Sequence, residues 1–306
     1  KTDDGTDKSA ASNTKGKSLL KYCIDKTNLA KNQQLDPIVG RDKEIRMMSE
    51  ILGRRSKPNV IIIGDHGVGK TALVNGFVQS SLDNSTNLEG AQVFELDIGS
   101  LIAGAAYKGE IEDRLKSIIK EIKQFDKAIL FVDEIHSLLD KQGGSASAAN
   151  LLKPELAKGE ITIIGATSID NYTKYIESDE AFKRSFETLK IEEPSAEIAL
   201  KMLETIIPVF EKHHNLSVDE EVLVESIRLS KRYLKERALP DSAIDLIDRT
   251  MSVVRIAGET TIEDINTFTD KLEAINQDDP KKYFEDLKWL KHEIENQISE
   301  VLFAML

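Results

Sequence analysis

The stretch Asn59-Val-Ile-Ile-Ile-Gly-Asp-His-Gly-Val-Gly-Lys-Thr71 joins an apolar run to a glycine-rich turn and then to a helical segment. Its fixed positions follow the pattern G-x-x-x-x-G-K-[ST], which is typical of loops that wrap the phosphates of a nucleotide. The glycines let successive backbone N–H groups converge on an anion, and the following helix N-terminus adds partial positive charge. The pattern therefore predicts a buried strand over 60–63, a phosphate-binding loop over 64–71 and a helix that opens at Lys70.

The residues of this loop and the first turn of its helix are predicted to bind the nucleotide. They are Gly64, Asp65, His66, Gly67, Val68, Gly69, Lys70, Thr71 and Ala72. The Lys70 ammonium is expected to reach the β- and γ-phosphates, and the Thr71 hydroxyl is expected to ligate Mg²⁺. ATP or ADP with Mg²⁺ is the predicted cofactor set, although the loop alone does not indicate how the energy is used.

Composition narrows the class of protein. The chain has 306 residues and a net charge of −12, and an acidic balance disfavours a nucleic-acid partner. Cys23 is the single cysteine, which rules out an internal disulfide and fits a reducing compartment, so a cytoplasmic location is expected. No apolar run approaches the roughly 18 residues of a membrane span, and no membrane association is expected.

Short apolar runs alternate with helical patterns before Pro194. This alternation predicts an α/β domain with a parallel sheet that helices cover on both faces. The predicted strands are Val60–Ile63, Val93–Leu96, Ala128–Val132, Ile161–Ala166 and Phe186–Ile191. Helices are expected at Leu19–Ala30 and from Asp42 to about Arg54, and later at 195–214, 218–236, 240–257 and 261–275. Asp241 and Thr261 have the character of residues at helix N-termini.

These patterns predict four segments. A polar, disordered linker covers 1–18, a large α/β domain covers 19–193, and a small all-helical domain covers 194–276. A further helix is predicted over 277–306, where apolar residues from Phe284 to Val301 recur every three or four positions. That stripe fits a packed helix and the start of a coiled coil equally well.

Two more predicted strands end in polar residues. Asp133 and Glu134 follow Ala128–Val132, and the carboxyl ends of parallel strands are where ligands bind in open α/β sheets. Asp133 is expected to hold Mg²⁺, while Glu134 orients or deprotonates the attacking water. Thr167, at the end of Ile161–Ala166, is expected to hold that water near the γ-phosphate. The three residues turn the prediction of nucleotide binding into one of hydrolysis.

Several blocks, taken in order, resemble the first AAA+ ATPase module of the Clp unfoldases and disaggregases, the ClpA, ClpB and ClpC group. The blocks are Leu35–Asp42, Gly64–Thr71, Asp97–Glu110, Ile129–His136, Asn150–Pro154, Gly165–Thr167 and Leu239–Asp248. The resemblance covers about residues 19–257. It implies a large α/β subdomain, a helical lid with the nucleotide held between the two, and a ring of usually six subunits that threads polypeptide through its pore.

The resemblance also implies roles for residues that patterns alone leave open. Ile38 and Val39 would border the adenine, and Tyr107 would grip the substrate from a pore loop. A second pore loop would match Gly143–Ser147. Arg184 would reach the γ-phosphate of the neighbouring subunit, but Ser185 stands where the family usually has a second arginine, which puts the hydrolysis rate in doubt.

The leading hypothesis is an ATP-driven machine that unfolds or disaggregates proteins. Its expected partners are unfolded or aggregated protein clients, further copies in a homo-hexamer, and a protease or an adaptor. The alternatives are a nucleotide-gated assembly module with weak ATPase activity and a nucleic-acid-directed AAA+ ATPase. The acidic charge and Tyr107 count against the last of these.

Overall fold

A computed structural model of the chain describes residues 17–82, 88, 90–105, 108–139, 146–275 and 282–292. They form two compact units. The first runs to Thr205 and includes Glu236–Pro240, and the second comprises Ile206–Lys235 and the residues from Asp241 onward. The predicted linker lies almost wholly outside the described residues, as does much of the predicted helix over 277–306, of which 282–292 is helical. No helix in the described ranges has the length and hydropathy needed to span a membrane.

The described part of the first unit contains one mixed sheet. Its strands are β1 Cys23–Asp25, β2 Val60–Ile63, β3 Gln92–Leu96, β4 Ala128–Val132, β5 Thr162–Thr167 and β6 Glu187–Lys190. The spatial order is β1-β3-β4-β5-β2-β6. The pairs from β3 across to β6 are parallel, and β1 alone runs antiparallel to its neighbour β3. The predicted α/β class is confirmed, and each of the five predicted strands forms within two residues of its expected bounds.

Helices flank the sheet and make up the described part of the second unit. In chain order they are α1 Lys17–Tyr22, α2 Lys26–Lys31, α3 Asp42–Leu52, α4 Lys70–Leu82, α5 Ile98–Ile102, α6 Lys108–Ile122, α7 Ala146–Lys158, α8 Ile169–Asn171, α9 Glu180–Lys183, α10 Ala196–His214, α11 Glu220–Tyr233 and α12 Asp241–Glu273. A 3₁₀ turn covers Ile135–Leu138, and a π-helical turn covers Tyr172–Ile176.

Side chains of β2 alternate between two apolar clusters because successive residues of a strand face opposite sides of a sheet. Val60 and Ile62 belong to the cluster that contains Phe77 of α4. Ile61 and Ile63 belong to the cluster that contains Leu115 of α6. Each side chain buried in this way stabilises the fold by roughly 1.5–3 kcal/mol. The strand that carries the phosphate-binding loop is therefore anchored on both faces.

The prediction of one helix over Leu19–Ala30 was wrong, since β1 interrupts it. Cys23 pairs with Leu96 at the sheet edge, and the Thr27 hydroxyl accepts a hydrogen bond of 2.8 Å from the Val93 N–H. The pairing of β1 satisfies backbone groups of β3 that a continuous helix would leave unpaired, and Thr27 of α2 adds a side-chain acceptor. The helical periodicity of the segment comes from its two short flanking helices.

The predicted break between helices 240–257 and 261–275 was also wrong. Helix α12 begins at Asp241, as expected, but runs without interruption to Glu273. Thr261 therefore lies within a helix and does not start one. A glycine inside a helix, as at position 258, costs about 1 kcal/mol relative to alanine, and the helix continues through it.

Candidate functional site

The loop between β2 and α4 needs glycine at three positions. Gly67 and Gly69 have φ angles of 87° and 92°, a region that side chains disfavour. A Cβ on Gly64 would lie 2.7 Å from the carbonyl oxygen of Ile191 and 2.9 Å from Cγ2 of Val68. The loop therefore curls tightly against the end of β6, and its backbone N–H groups lead into the N-terminus of α4.

Lys70, the first residue of α4, folds back into this curl. Its Nζ donates hydrogen bonds to the carbonyl oxygens of Gly64, at 3.0 Å, and Asp65, at 2.9 Å. Burial lowers the pKa of the Lys70 ammonium, and the nearby carboxylates of Glu134, Asp133 and Asp65 oppose that shift. A buried cation beside a helix N-terminus suits a polyanionic ligand. Burial removes the water that would solvate the ammonium, and negatively charged phosphates would compensate for that loss.

Thr71 and Asp133 meet across the end of the sheet. The Thr71 hydroxyl donates a hydrogen bond of 2.6 Å to Oδ2 of Asp133, and Oδ1 of Asp133 accepts one of 2.9 Å from the Glu134 N–H. A hydroxyl and a carboxylate oxygen are hard ligands of the kind that Mg²⁺ takes beside phosphates. The donor set at this point therefore fits the predicted metal.

Glu134 leaves β4 in the left-handed conformation, with φ 47° and ψ 47°. Such backbone outliers in residues other than glycine cost energy and cluster at functional sites. The turn carries the Glu134 side chain to the carboxyl edge of the sheet, beside a cleft of about 350 Å³ that Asp133 also lines. Water can therefore reach this carboxylate.

Thr167 ends β5 opposite Ile63 of β2 and is completely buried. His136, to which the sequence patterns assign no role, joins Thr167 to Glu134. Nδ1 of His136 lies 3.1 Å from Oγ1 of Thr167 and 3.1 Å from Oε2 of Glu134. The structure thus gathers Lys70, Thr71, Asp133, Glu134 and Thr167 at one edge of the sheet.

Arg41 is a second residue whose role sequence reasoning missed. Its buried guanidinium donates through Nη2 to the carbonyl oxygens of Val68, at 2.9 Å, and Glu192, at 3.0 Å. Nη1 pairs with the Glu44 carboxylate at 3.0 Å. Arg41 therefore ties the middle of the phosphate-binding loop to the segment after β6. Its place in the block Leu35–Asp42 was a signal, but the resemblance assigned that block only to the adenine.

Ile38 and Val39 precede this arginine. A Cβ on Gly76 of α4 would lie 3.2 Å from Cβ of Ile38, so the glycine lets Ile38 approach the helix closely. Val39 remains 37% exposed. Both residues expose some apolar surface in the segment before α3. Their contact with an adenine stays a prediction.

His66, at the tip of the loop, acts here through its backbone. Its carbonyl oxygen accepts a hydrogen bond of 2.9 Å from the Ala238 N–H. Leu239 N–H donates one of 2.9 Å to the Glu193 carboxylate. The segment Glu236–Pro240 is therefore fastened beside the phosphate-binding loop within the first unit. Its last two residues are the first two of the block Leu239–Asp248.

Arg184 lies away from the other predicted catalytic residues. It precedes the start of β6, whereas the loop follows the end of the parallel strand β2, so the two lie at opposite edges of the sheet. The Arg184 side chain is 76% exposed and pairs with Glu180 at 2.9 Å. The buried Asn59 side chain anchors this turn by donating a hydrogen bond of 3.0 Å to the Ser185 carbonyl oxygen. Arg184 is therefore not part of this chain's own phosphate site.

Tyr107, the predicted substrate grip, lies outside the described residues, as does most of the predicted second pore loop, Gly143–Ser147. The neighbouring helices α5, Ile98–Ile102, and α6, Lys108–Ile122, are described on either side of Tyr107. Its role stays a prediction.

Two family models match consecutive parts of the chain. The model of the "ATPase family associated with various cellular activities (AAA)" matches residues 60–188. The model of the AAA lid domain matches residues 195–298. The first match includes the loop, Asp133, Glu134 and Thr167, so the edge of the sheet that carries the predicted catalytic residues falls within the range of an ATPase family.

Two curated relatives are similar over most of this chain. The ATP-dependent Clp protease ATP-binding subunit ClpC of Staphylococcus saprophyticus is 42% identical over 258 residues, 83% of this chain and 32% of the relative. The chaperone protein ClpB of Bdellovibrio bacteriovorus is 46% identical over 253 residues, 81% of this chain and 30% of the relative. The chain thus spans about a third of the length of the curated relatives it matches.

A solved structure gives the same result. A closed-state cryo-EM reconstruction of Hsp104 with ATPγS and FITC-casein matches with a TM-score of 0.73 and 41% identity, over 79% of this chain and 43% of that one. The two family models, the curated relatives and the solved structure agree with one another, and the chain belongs to the Clp-type AAA+ family.

Proposed function

We propose that this chain binds ATP or ADP with Mg²⁺ and hydrolyses ATP. The observation that carries the proposal is the convergence of Lys70, Thr71, Asp133 and Glu134 at the carboxyl edge of the sheet, joined by the 2.6 Å hydrogen bond between Thr71 and Asp133. Membership of an ATPase family supports it, and so does the solved similar structure of Hsp104 with ATPγS.

Each residue has a separate role in this mechanism. Backbone N–H groups of residues 64–71 and the Lys70 ammonium bind the phosphates. Thr71 and Asp133 would hold Mg²⁺, which when bound would supply positive charge to offset that of the phosphates. Glu134 accepts a proton from the attacking water, a contribution worth roughly 10²–10⁴ in rate. The buried Thr167 hydroxyl helps to orient that water.

Glu134→Gln tests the assignment. The amide has the same shape as the carboxylate but cannot take a proton, so kcat should fall at least about a hundredfold while the Kd for ATP changes little. Glu197→Gln, an exposed carboxylate in the first turn of α10, is the matched control and should turn over normally. An unchanged kcat in Glu134→Gln would remove Glu134 from the mechanism.

The same proposal gives hydrolysis a mechanical purpose: a homo-hexamer threads unfolded or aggregated protein clients through its pore. The similar Hsp104 structure contains casein, which supports polypeptide clients. Tyr107 would grip the client, and Arg184 would complete the site of the next subunit. The exposed side chain of Arg184, at the edge of the sheet opposite its own loop, suits a role in trans.

Tyr107→Ala in the assembled protein tests this part. Client unfolding should be lost while ATP turnover persists, because an aromatic grip acts on the client and not on the nucleotide. Tyr233→Ala removes a tyrosine that is 64% exposed on α11 and should leave both activities unchanged. Normal unfolding by Tyr107→Ala would contradict the threading role.

The alternative of a nucleotide-gated assembly module with weak turnover is not favoured, because the similar curated proteins are an ATP-dependent Clp protease subunit and the chaperone ClpB. Ser185 is the one residue that motivates it, because a missing second arginine can lower the rate by orders of magnitude. ATP-dependent oligomerisation with negligible hydrolysis would distinguish it from the first.

The proposal of an ATP-driven threading machine also includes a protease or adaptor partner and a cytoplasmic location. It includes neither a nucleic-acid partner nor membrane association.

A further inference from the structure

His136 occupies the space between two predicted catalytic residues. It belongs to the 3₁₀ turn Ile135–Leu138, which directly follows Glu134. One atom, Nδ1, lies 3.1 Å from both Oε2 of Glu134 and Oγ1 of Thr167. Both distances are within hydrogen-bond range, so a single imidazole nitrogen links the general base to the buried hydroxyl.

The chemistry of the neighbours selects the form of the imidazole. A bare Nδ1 would place its lone pair against the Glu134 carboxylate, whereas an Nδ1–H group can donate to that carboxylate. The Thr167 hydroxyl can then accept from the same N–H or turn its own hydrogen toward a water. The arrangement therefore favours hydrogen on Nδ1 and leaves the second Glu134 oxygen free for the attacking water.

The position of the ring is held from several sides. It stacks on Tyr175, with centroids 5.6 Å apart and planes 28° from parallel. The turn that carries it packs closely on β5, because a Cβ on Gly165 would lie 2.7 Å from Cδ1 of Ile135. Ile135 is completely buried. His136 is therefore presented at a defined place, with 18% of its side chain exposed.

We propose that His136 is a positioning residue for ATP hydrolysis: it fixes the direction of the Glu134 carboxylate relative to the Thr167 hydroxyl, so that both address the same water. The inference rests on the proposed ATPase function. It assigns His136 no contact with the nucleotide, which Lys70 and Thr71 bind. Loss of the imidazole should therefore lower kcat and leave KM unchanged, since misplacing a catalytic group costs rate and not binding.

Two substitutions separate positioning from packing. His136→Phe keeps an aromatic ring to stack on Tyr175 but has no hydrogen-bonding nitrogen, and its kcat should fall about 10- to 100-fold. His136→Asn loses the ring but places an amide nitrogen at the same bond separation from Cβ as Nδ1, and should recover much of that loss. His213→Phe, the same change at an exposed histidine of α10, is the control and should behave as the unchanged protein.

The assay measures kcat and KM for ATP in the whole assembled protein, together with Glu134→Gln. If the unchanged protein does not turn over ATP, the proposed function fails, and if Glu134→Gln turns over normally, Glu134 is not the general base and His136 has no catalytic carboxylate to position. If Glu134→Gln is inactive but His136→Phe stays within about twofold of the unchanged protein, the present inference alone fails. It also fails if His136→Asn is as slow as His136→Phe, because a hydrogen-bonding nitrogen at the place of Nδ1 would then not restore the rate. A KM that rises as much as kcat falls would contradict it too, because His136 would then act on nucleotide binding.

Discussion

Replacing Arg41 with methionine should destabilise the first unit and loosen the phosphate-binding loop together. The guanidinium donates to the carbonyl oxygens of Val68 and Glu192 and pairs with Glu44, at 2.9–3.0 Å. Methionine fills a similar volume but offers no donor. The buried Val68 carbonyl, the partly buried Glu192 carbonyl and one carboxylate would therefore lose their partner at once.

The magnitude follows from these contacts. A hydrogen bond to a charged group contributes about 1.5–3 kcal/mol, and the Val68 carbonyl is held inside the fold, where water replaces the lost donor poorly. Removing one partner of a buried charged pair costs about 3–5 kcal/mol. We expect the free energy of unfolding to fall by this amount. Because Val68 lies between Gly67 and Gly69, the untethered loop should also bind ATP about tenfold more weakly, or roughly 1.4 kcal/mol.

Urea unfolding and equilibrium ATP binding measure the two effects. Arg54→Met is the matched control, because Arg54 forms an ion pair with Glu187 in which both side chains are about half exposed. Such a pair contributes about 0–1 kcal/mol. Arg41→Lys should fall between the two, since one ammonium cannot bridge both carbonyl groups as a planar guanidinium does. If Arg41→Met costs no more than Arg54→Met and binds ATP normally, Arg41 does not tether the loop.

Two further predictions concern the loop and the cysteine. Gly64→Ala should weaken ATP binding at least about tenfold, because its Cβ would meet the Ile191 carbonyl oxygen at 2.7 Å and a backbone atom must move; normal affinity by calorimetry would contradict the close approach. Burial, with the carboxylates of Glu121 and Asp97, raises the pKa of the Cys23 thiol to about 12. The folded protein should therefore react with iodoacetamide at pH 8 roughly a thousandfold more slowly than the urea-unfolded chain, and equal rates would show that the thiol ionises normally.

Some features of the fold were predictable because they depend on local chemistry. Val60–Ile63 is an apolar run before a glycine-rich turn, and the strand formed where predicted. The position of Asp133 beside the loop was predictable for a similar reason. Asp133 follows an apolar strand, and the carboxyl ends of parallel strands share one edge of the sheet. Tyr107 and Arg184, by contrast, received their roles from family resemblance, and those roles stay predictions.

Other features depend on partners that are distant in sequence. The strand at Cys23–Asp25 exists because β3 offers it an edge, and its own residues read as a helix. Helix α12 also runs past Thr261, so the local capping signal did not decide where a helix begins there. Local patterns report local preferences, and pairing with a remote element can override them.

The sequence by itself determined the class of fold, the phosphate-binding loop and the family, because these reside in contiguous residues whose spacing is itself the signal. Only the tertiary structure decided that Arg41 tethers Val68 and that His136 lies between Glu134 and Thr167. In each case the contact joins segments that only the folding of the sheet brings together: Arg41 is 27 residues from Val68, and His136 is 31 from Thr167. Periodicity and spacing carry no information about such a meeting, since it is set by the order and register of the strands.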